Sequence, residues 1–239
     1  MHAEIGRQGI RVQLAAGNAL LPCQALACLE DLVRHRYRDL HGIHGITMVI
    51  PVHSLPMALS STIHTFTIRL SHIDRAIYET LDLRLARHPS ETPEYLLTRL
   101  LAYCLEFTEG IAFSKGLSDP DEPAIVVRDL TGALRAWIEI GTPEAARLHK
   151  GAKAADRVAV YPTRDVTPWL ARVRQERIHR AEQIAVQVID AALVAQFTAR
   201  LERRMDFDLS VSEGMLYLSI GEETLTGAVQ QVELPRSQA

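Results

Sequence analysis

The chain has 239 residues, a formal net charge of -3, a pI near 6.4 and 47% apolar residues, enough to bury a core in one large domain or in one medium domain with an extension. That balance excludes an overall electrostatic pull toward nucleic acid, so any such contact must be local. No apolar run reaches the length of a membrane span, the N-terminus lacks the pattern of a secretory leader, and three cysteines form neither a disulfide framework nor a metal set, so a reducing cytoplasm and no membrane partner are expected.

Residues 1 to 56 differ in character from the rest of the chain. They hold His2, His35, His41, His44 and His53, half of the ten histidines, together with Cys23 and Cys28, and only Ala25 to Leu40 reads as a helix. The stretch is expected to be a poorly ordered extension or a mis-assigned start, with the domain proper running from 57 to 239. Two-residue alternation begins after Met57: Thr62 to Leu70 reads as a strand and Ile77 to Leu85 as its partner. Ser90-Glu91-Thr92-Pro93-Glu94 is a helix start, with a hydroxyl to cap and acids near the positive end of the dipole, and Leu96, Leu97, Leu100, Leu101 and Leu105 supply the apolar face.

A hairpin comes next, with β-branched residues on both sides of Asp129-Leu130-Thr131-Gly132. A helix then opens at Thr142-Pro143-Glu144, and Arg157 to Tyr161 reads as a buried strand. Val166 to Arg180 is expected to be helical and Ile184 to Ile189 extended, with Asp190 capping a helix that runs through Arg204. Three strands close the chain at Phe207 to Val211, Met215 to Ile220 and Ala228 to Leu234. A helix between two strands implies a crossover onto a mixed sheet, so the fold class is α/β, a mixed sheet flanked by helices.

The hairpin carries the chemistry. Asp121 and Glu122 open its first strand and Glu139 lies near the end of the second, with antiparallel pairing setting Glu139 roughly opposite Glu122 or Pro123; Asp129, at the tip, is far away. Hard oxygen ligands on rigid adjacent strands are what Mg²⁺- or Mn²⁺-dependent phosphodiester cleavage requires, and a lysine nearby can stabilise the developing charge. Asp121, Glu122 and Glu139 are therefore the candidate metal ligands, Lys150 the candidate charge stabiliser and Glu94 a supporting acid. Which of Asp121 and Glu122 faces the site is open at this level. No glycine-rich phosphate loop or serine nucleophile elbow is present, and Cys104, inside the apolar helix, reads as packed rather than reactive.

The order of helix, acidic strand, strand ending in a glutamate, helix and strand resembles the PD-(D/E)xK restriction-endonuclease-like core, with additional N- and C-terminal antiparallel strands. Several stretches in the same order sharpen the likeness: His88-Pro89-Ser90-Glu91-Thr92, Arg99 to Tyr103, Gly116 with Asp121-Glu122-Pro123, Trp137-Ile138-Glu139-Ile140-Gly141 and Arg147-Leu148-His149-Lys150. Together they resemble the YaeQ family from Met57 onward. The resemblance implies a bacterial cytoplasmic protein and leaves reaction and substrate unassigned. The sequence departs from the nuclease pattern at position 141, a glycine where that pattern places its lysine, and Lys150 or Lys153 would take the role from the next helix.

Two functions stand side by side at the level of sequence. One is a metal-dependent nuclease or phosphodiesterase with nucleic acid as substrate. The alternative is a catalytically silent member that binds nucleic acid or a protein, linked to transcription. The arginines at 172, 174, 177 and 180, and again at 200, 203 and 204, could track a phosphate backbone, but Glu176, Glu182 and Glu202 dilute them, and the solvated face is the favoured reading. Trp137 reads as core rather than as a platform for stacked bases.

Overall fold

The computed structural model describes residues 2–5, 10–15, 47–51, 61–114 and 122–234. The chain divides into two units, Met1–Leu59 and Ser60–Ala239. In the first, β1 (His2–Ile5) pairs antiparallel with β2 (Ile10–Ala15), which pairs parallel with β3 (Thr47–Pro51). The helix expected over Ala25 to Leu40, and Cys23 and Cys28, lie outside the described residues.

The second unit begins with the predicted hairpin, β4 (Thr62–His72) against β5 (Ile77–Arg87). Helix α1 (Pro93–Leu105) starts where the sequence places it: the Thr92 hydroxyl accepts the Tyr95 amide at 3.2 Å and Pro93 occupies the first turn, where its missing N–H costs nothing. Its leucines at 96, 97, 100 and 101 are fully buried. A short strand that the sequence does not announce, β6 (Ile111–Phe113), precedes the acidic hairpin of β7 (Ile125–Arg128) and β8 (Leu134–Ile140). Then come α2 (Ala145–Ala154), β9 (Arg157–Tyr161), α3 (Thr167–Val173), β10 (Ala185–Ile189) and α4 (Ala191–Thr198). Strands β11 (Arg204–Ser212), β12 (Met215–Ile220) and β13 (Glu223–Glu233) close the unit.

One ten-stranded sheet results, in the order β5-β4-β11-β12-β13-β10-β9-β8-β7-β6, with parallel pairs at β4/β11, β8/β9 and β9/β10. Strand β13 joins its two halves, because residues 223 to 228 pair with β12 and residues 229 to 233 with β10. The larger core packs α1 and α4 on the sheet around Phe66, Leu100, Phe197 and Phe207, with the Phe197 and Phe207 rings edge to face at 5.3 Å. The smaller core packs α2 and α3 on β8, β9 and β10 around Trp137, Leu148, Val160 and Trp169.

Two helices are shorter than the sequence predicts, and tertiary contacts explain both. The helix expected to reach Arg180 ends at Val173. Arg180 adopts a left-handed conformation at φ 48° and donates to the carbonyls of Ala152 and Ala155 at the end of α2, a job that a helical Arg180 could not reach. The helix capped by Asp190 stops at Thr198 rather than running through Arg204, because Arg204 opens β11 and pairs with Thr65 of β4. The opening of α2 is also displaced: Pro143 lies before the helix, and its carbonyl accepts the Trp169 indole N–H at 2.7 Å.

Candidate functional site

Strand β8 alternates between two covered faces, and its residues from Ala136 to Ile140 are all buried. Ala136, Ile138 and Ile140 enter the larger core, while Trp137 enters the smaller one and Glu139 shares its face, under α2. Glu139 is 4% exposed, so its charge needs a partner. The Trp137 indole N–H, two residues back on the same face, donates to Glu139 Oε1 at 2.6 Å, and Arg147 Nε of α2 donates to the same oxygen at 2.6 Å. The Arg147 guanidinium also lies over the Trp137 ring, 5.8 Å from its centre, and its Nη2 donates to the Glu122 carbonyl at 2.5 Å. One side chain thus ties the end of β8 to the entry of β7. Burial pushes the Glu139 carboxyl above the usual range; Arg147 and the indole pull it back.

A second buried pair stands at the head of α1. Glu91 and Arg99 are 6% and 5% exposed, and Arg99 Nη2 approaches Glu91 Oε1 at 3.2 Å, close enough for an ion pair but without hydrogen-bond alignment. Glu91 Oε2 accepts the His88 amide at 3.0 Å, Arg99 donates to the Ala86 carbonyl, and its guanidinium rests over the Tyr95 and Phe113 rings. Burial raises Glu91 as well. The Tyr95 hydroxyl, pushed up to about 12 chiefly by burial, feels the charges of Arg99, Glu91, Glu139 and Arg147, so both pairs share its neighbourhood.

Of the predicted residues, Asp121 lies outside the described ones. Glu122 is half-buried, with its carboxylate 3.7 Å from Arg128. Glu94 is exposed on the first turn of α1, and the buried acid there is Glu91. Lys150 and Lys153 are exposed on α2, Lys150 one turn beyond Arg147. A bulge between Val127 and Arg128 sets Ile125 across from Ile138, so continuing the register brings Ala124, rather than Glu122 or Pro123, opposite Glu139. Gly141 has φ 91°, and its N–H donates to the Tyr161 carbonyl at 2.8 Å; a Cβ there would meet only Tyr95 Cε2, at 3.9 Å, so it is the backbone conformation and not lack of space that disfavours a lysine at the end of β8. Sequence reasoning missed Arg147 and Arg99 as members of the cluster, since arginines on helices read first as solvated.

Among the described residues no group of three or more His, Cys, Asp or Glu side chains is arranged to hold a metal ion. The described donors do not fit a divalent cation as they stand, because a guanidinium already meets the Glu139 charge at 2.6 Å and the Glu122 carboxylate lies 3.7 Å from Arg128. No described helix is long and apolar enough to cross a membrane.

Fold and cluster define a mixed α/β protein with a ten-stranded sheet and an acid-arginine cluster buried at the end of β8, the third strand from one edge. The family model for YaeQ protein matches residues 57–229, and the chain belongs to the YaeQ family. It is 32% identical over 171 residues to "Uncharacterized protein YaeQ" of Escherichia coli (strain K12), an alignment covering 71% of this chain and 94% of that protein; the Salmonella typhi protein of the same name gives the same figures. The crystal structure of YaeQ protein from Pseudomonas syringae superposes with a TM-score of 0.66 at 29% identity, covering 72% of this chain and 96% of that one. The YaeQ protein from Xanthomonas axonopodis pv. citri gives 0.62 at 27% identity, over 74% of this chain and all of that one.

Proposed function

We propose that this chain is a PD-(D/E)xK-like scaffold whose acidic site is neutralised from within, and that it binds nucleic acid without cleaving it. The observation that carries the reading is the Glu139 and Arg147 pair: the carboxylate best placed for catalysis is buried and spends one oxygen on an indole and a guanidinium. The helix that supplies Arg147 exposes Lys150 and Lys153, and the neighbouring segment on the same core exposes Arg172, Arg174 and Arg177. These exposed cations, with the exposed Glu144 and Glu176 among them, would supply local contacts to a phosphate backbone despite the acidic total. Fluorescence anisotropy with single- and double-stranded DNA and RNA oligonucleotides should give an affinity that falls with salt, with a shallower salt slope after Lys150→Ala and Lys153→Ala, and with the oligonucleotides intact in Mn²⁺. No detectable binding at low salt would move the reading to a protein-binding scaffold.

A second reading is favoured by one specific contact. Arg147 spans Glu139 and the Glu122 carbonyl, so the entry of β7 and the end of β8 adjoin. On this reading the chain is a Mg²⁺- or Mn²⁺-dependent nuclease or phosphodiesterase, and Arg147 would have to release Glu139 before Asp121, Glu122 and Glu139 could act as ligands, with Lys150 stabilising charge and Glu94 supporting. A calorimetric Mn²⁺ titration of wild type beside Glu139→Ala separates the two: binding lost in the variant, with oligonucleotide cleavage lost alongside, establishes the nuclease and removes the silent scaffold.

A further inference from the structure

A polar cleft of about 640 Å³ lies on the other face of β8 and β9, between the end of α1, the tip of the acidic hairpin and the turn after β4. Register sets Ala136 beside Arg157 and Ile140 beside Tyr161, so Arg157 and Tyr161 share the face of the larger core, opposite to Glu139. Two of its four arginines are fully committed. Arg157 donates to both oxygens of Glu106, at 3.2 and 2.7 Å, with the Tyr161 hydroxyl adding a third bond to Glu106 at 2.9 Å. Arg135 is shared between Asp129 and Asp156 at 2.7 to 2.9 Å.

The other two are different. Arg75 makes its hydrogen bond to the Leu105 carbonyl, at 2.7 Å, and Arg128 makes its own to the Gly132 carbonyl, at 3.2 Å, with the Glu122 carboxylate beyond hydrogen-bond distance at 3.7 Å. Both are exposed and line the same cleft, over a floor formed by Leu105, Val127 and Ala136. Asp129 is already taken up by Thr131 and Arg135, which hold it down at about 2, and that leaves Glu109 as the one lining carboxylate without a partner among the described residues. Two guanidinium groups against Glu109 inside the cleft, with Glu122 in ion-pair range of Arg128 at 3.7 Å from outside it, leave charge for one phosphate rather than a polyphosphate chain, and the forked donors of arginine match phosphate oxygens in pairs. The volume lies within the range of small-molecule sites, about 300 to 1,000 Å³, and so holds a body larger than the phosphate itself.

We propose that this cleft binds a small phosphomonoester, its phosphate held by Arg75 and Arg128 and its body over the apolar floor. The site is separate from the acid-arginine cluster and independent of the nucleic-acid reading. The test is titration of the full chain with phenyl phosphate by calorimetry, beside Arg75→Gln/Arg128→Gln, Lys150→Ala/Lys153→Ala and Glu139→Gln. Saturable binding that weakens at least about tenfold in the first variant, as loss of charge-assisted bonds implies, and holds in the other two supports the site. Absence of saturable binding to wild type, equal affinity in Arg75→Gln/Arg128→Gln, or loss in the lysine variant overturns it. Because Arg75 also caps α1 and its replacement threatens the fold, wild-type protein is treated in parallel with phenylglyoxal: phenyl phosphate should shield Arg75 and Arg128 from modification, and equal modification with and without it overturns the site independently.

Discussion

At the scale of single residues, Glu139 concentrates the energetics of the candidate site. A buried carboxylate is tolerated because Trp137 and Arg147 both bond it, and breaking such a pair from one side leaves the other charge stranded. Arg147→Ala is expected to cost about 3 kcal/mol, the low end for a buried pair because Arg147 retains 28% exposure, measured by urea unfolding at neutral pH. The sign of the pH dependence comes from burial, which raises the Glu139 pKa in the folded state. The stability this group contributes is complete below its unfolded pKa and is lost as pH rises through the folded one, so from about pH 4 upward toward neutrality the wild type should lose stability relative to Glu139→Gln. A difference between the two proteins that stays flat with pH, or runs the other way, rules out a raised Glu139. The hairpin that carries Glu139 was legible in the sequence, but its register was not: the bulge at Val127/Arg128 sets Ala124, rather than Glu122 or Pro123, across from Glu139. Nor was the counter-charge, because Arg147 reaches Glu139 only once α2 has folded back over β8.

At the scale of elements, strand alternation and helix caps were readable: Thr92 and Asp190 cap α1 and α4 as their positions suggest, and the β4/β5 hairpin runs where the two-residue period appears. Element ends were not, since Val173 and Thr198 terminate helices for reasons held by Arg180 and by β4. Strand β6 was missed because three residues are too few to show a period. Close packing of α2 on β8 is likewise invisible in sequence. A Cβ at Gly151 would lie 2.8 Å from Trp137 Cδ1, so Gly151→Ala should drive α2 off the indole. The overpacking cost of about 1–3 kcal/mol outweighs the gain of about 1 kcal/mol in helix propensity. A lowered thermal midpoint with weakened quenching or shifted emission of Trp137 is the expected result; an unchanged or raised midpoint would show that the helix moves away at no cost.

At the scale of the whole molecule, the family match begins at residue 57 and one compact unit begins at Ser60. A fragment of residues 57–239 contains the ten-stranded sheet, both cores and both candidate sites. It is expected to unfold in one cooperative transition, with the same dependence on denaturant per residue as a single domain of its size. A broad, non-cooperative melt of the fragment beside a sharp one for the full chain would assign residues 1 to 56 a part in stability. Strand β13 gives this prediction its weight, because it bonds to β12 and β10 in turn and so makes the two halves of the sheet one hydrogen-bonded body.

The sequence alone determined the α/β class, the order of most elements and the acidic hairpin, because alternation, caps and turn residues are local signals that survive tertiary folding. The family likeness was legible as well, in motifs that run in order from His88 to Lys150. The tertiary structure alone decided which arginine answers which acid, that Glu91 rather than Glu94 is the buried acid at the head of α1, and that four arginines meet at the far end of β8 and β9. Those pairings join residues that stand on different elements, and a charge has no period along the chain by which its partner could be read.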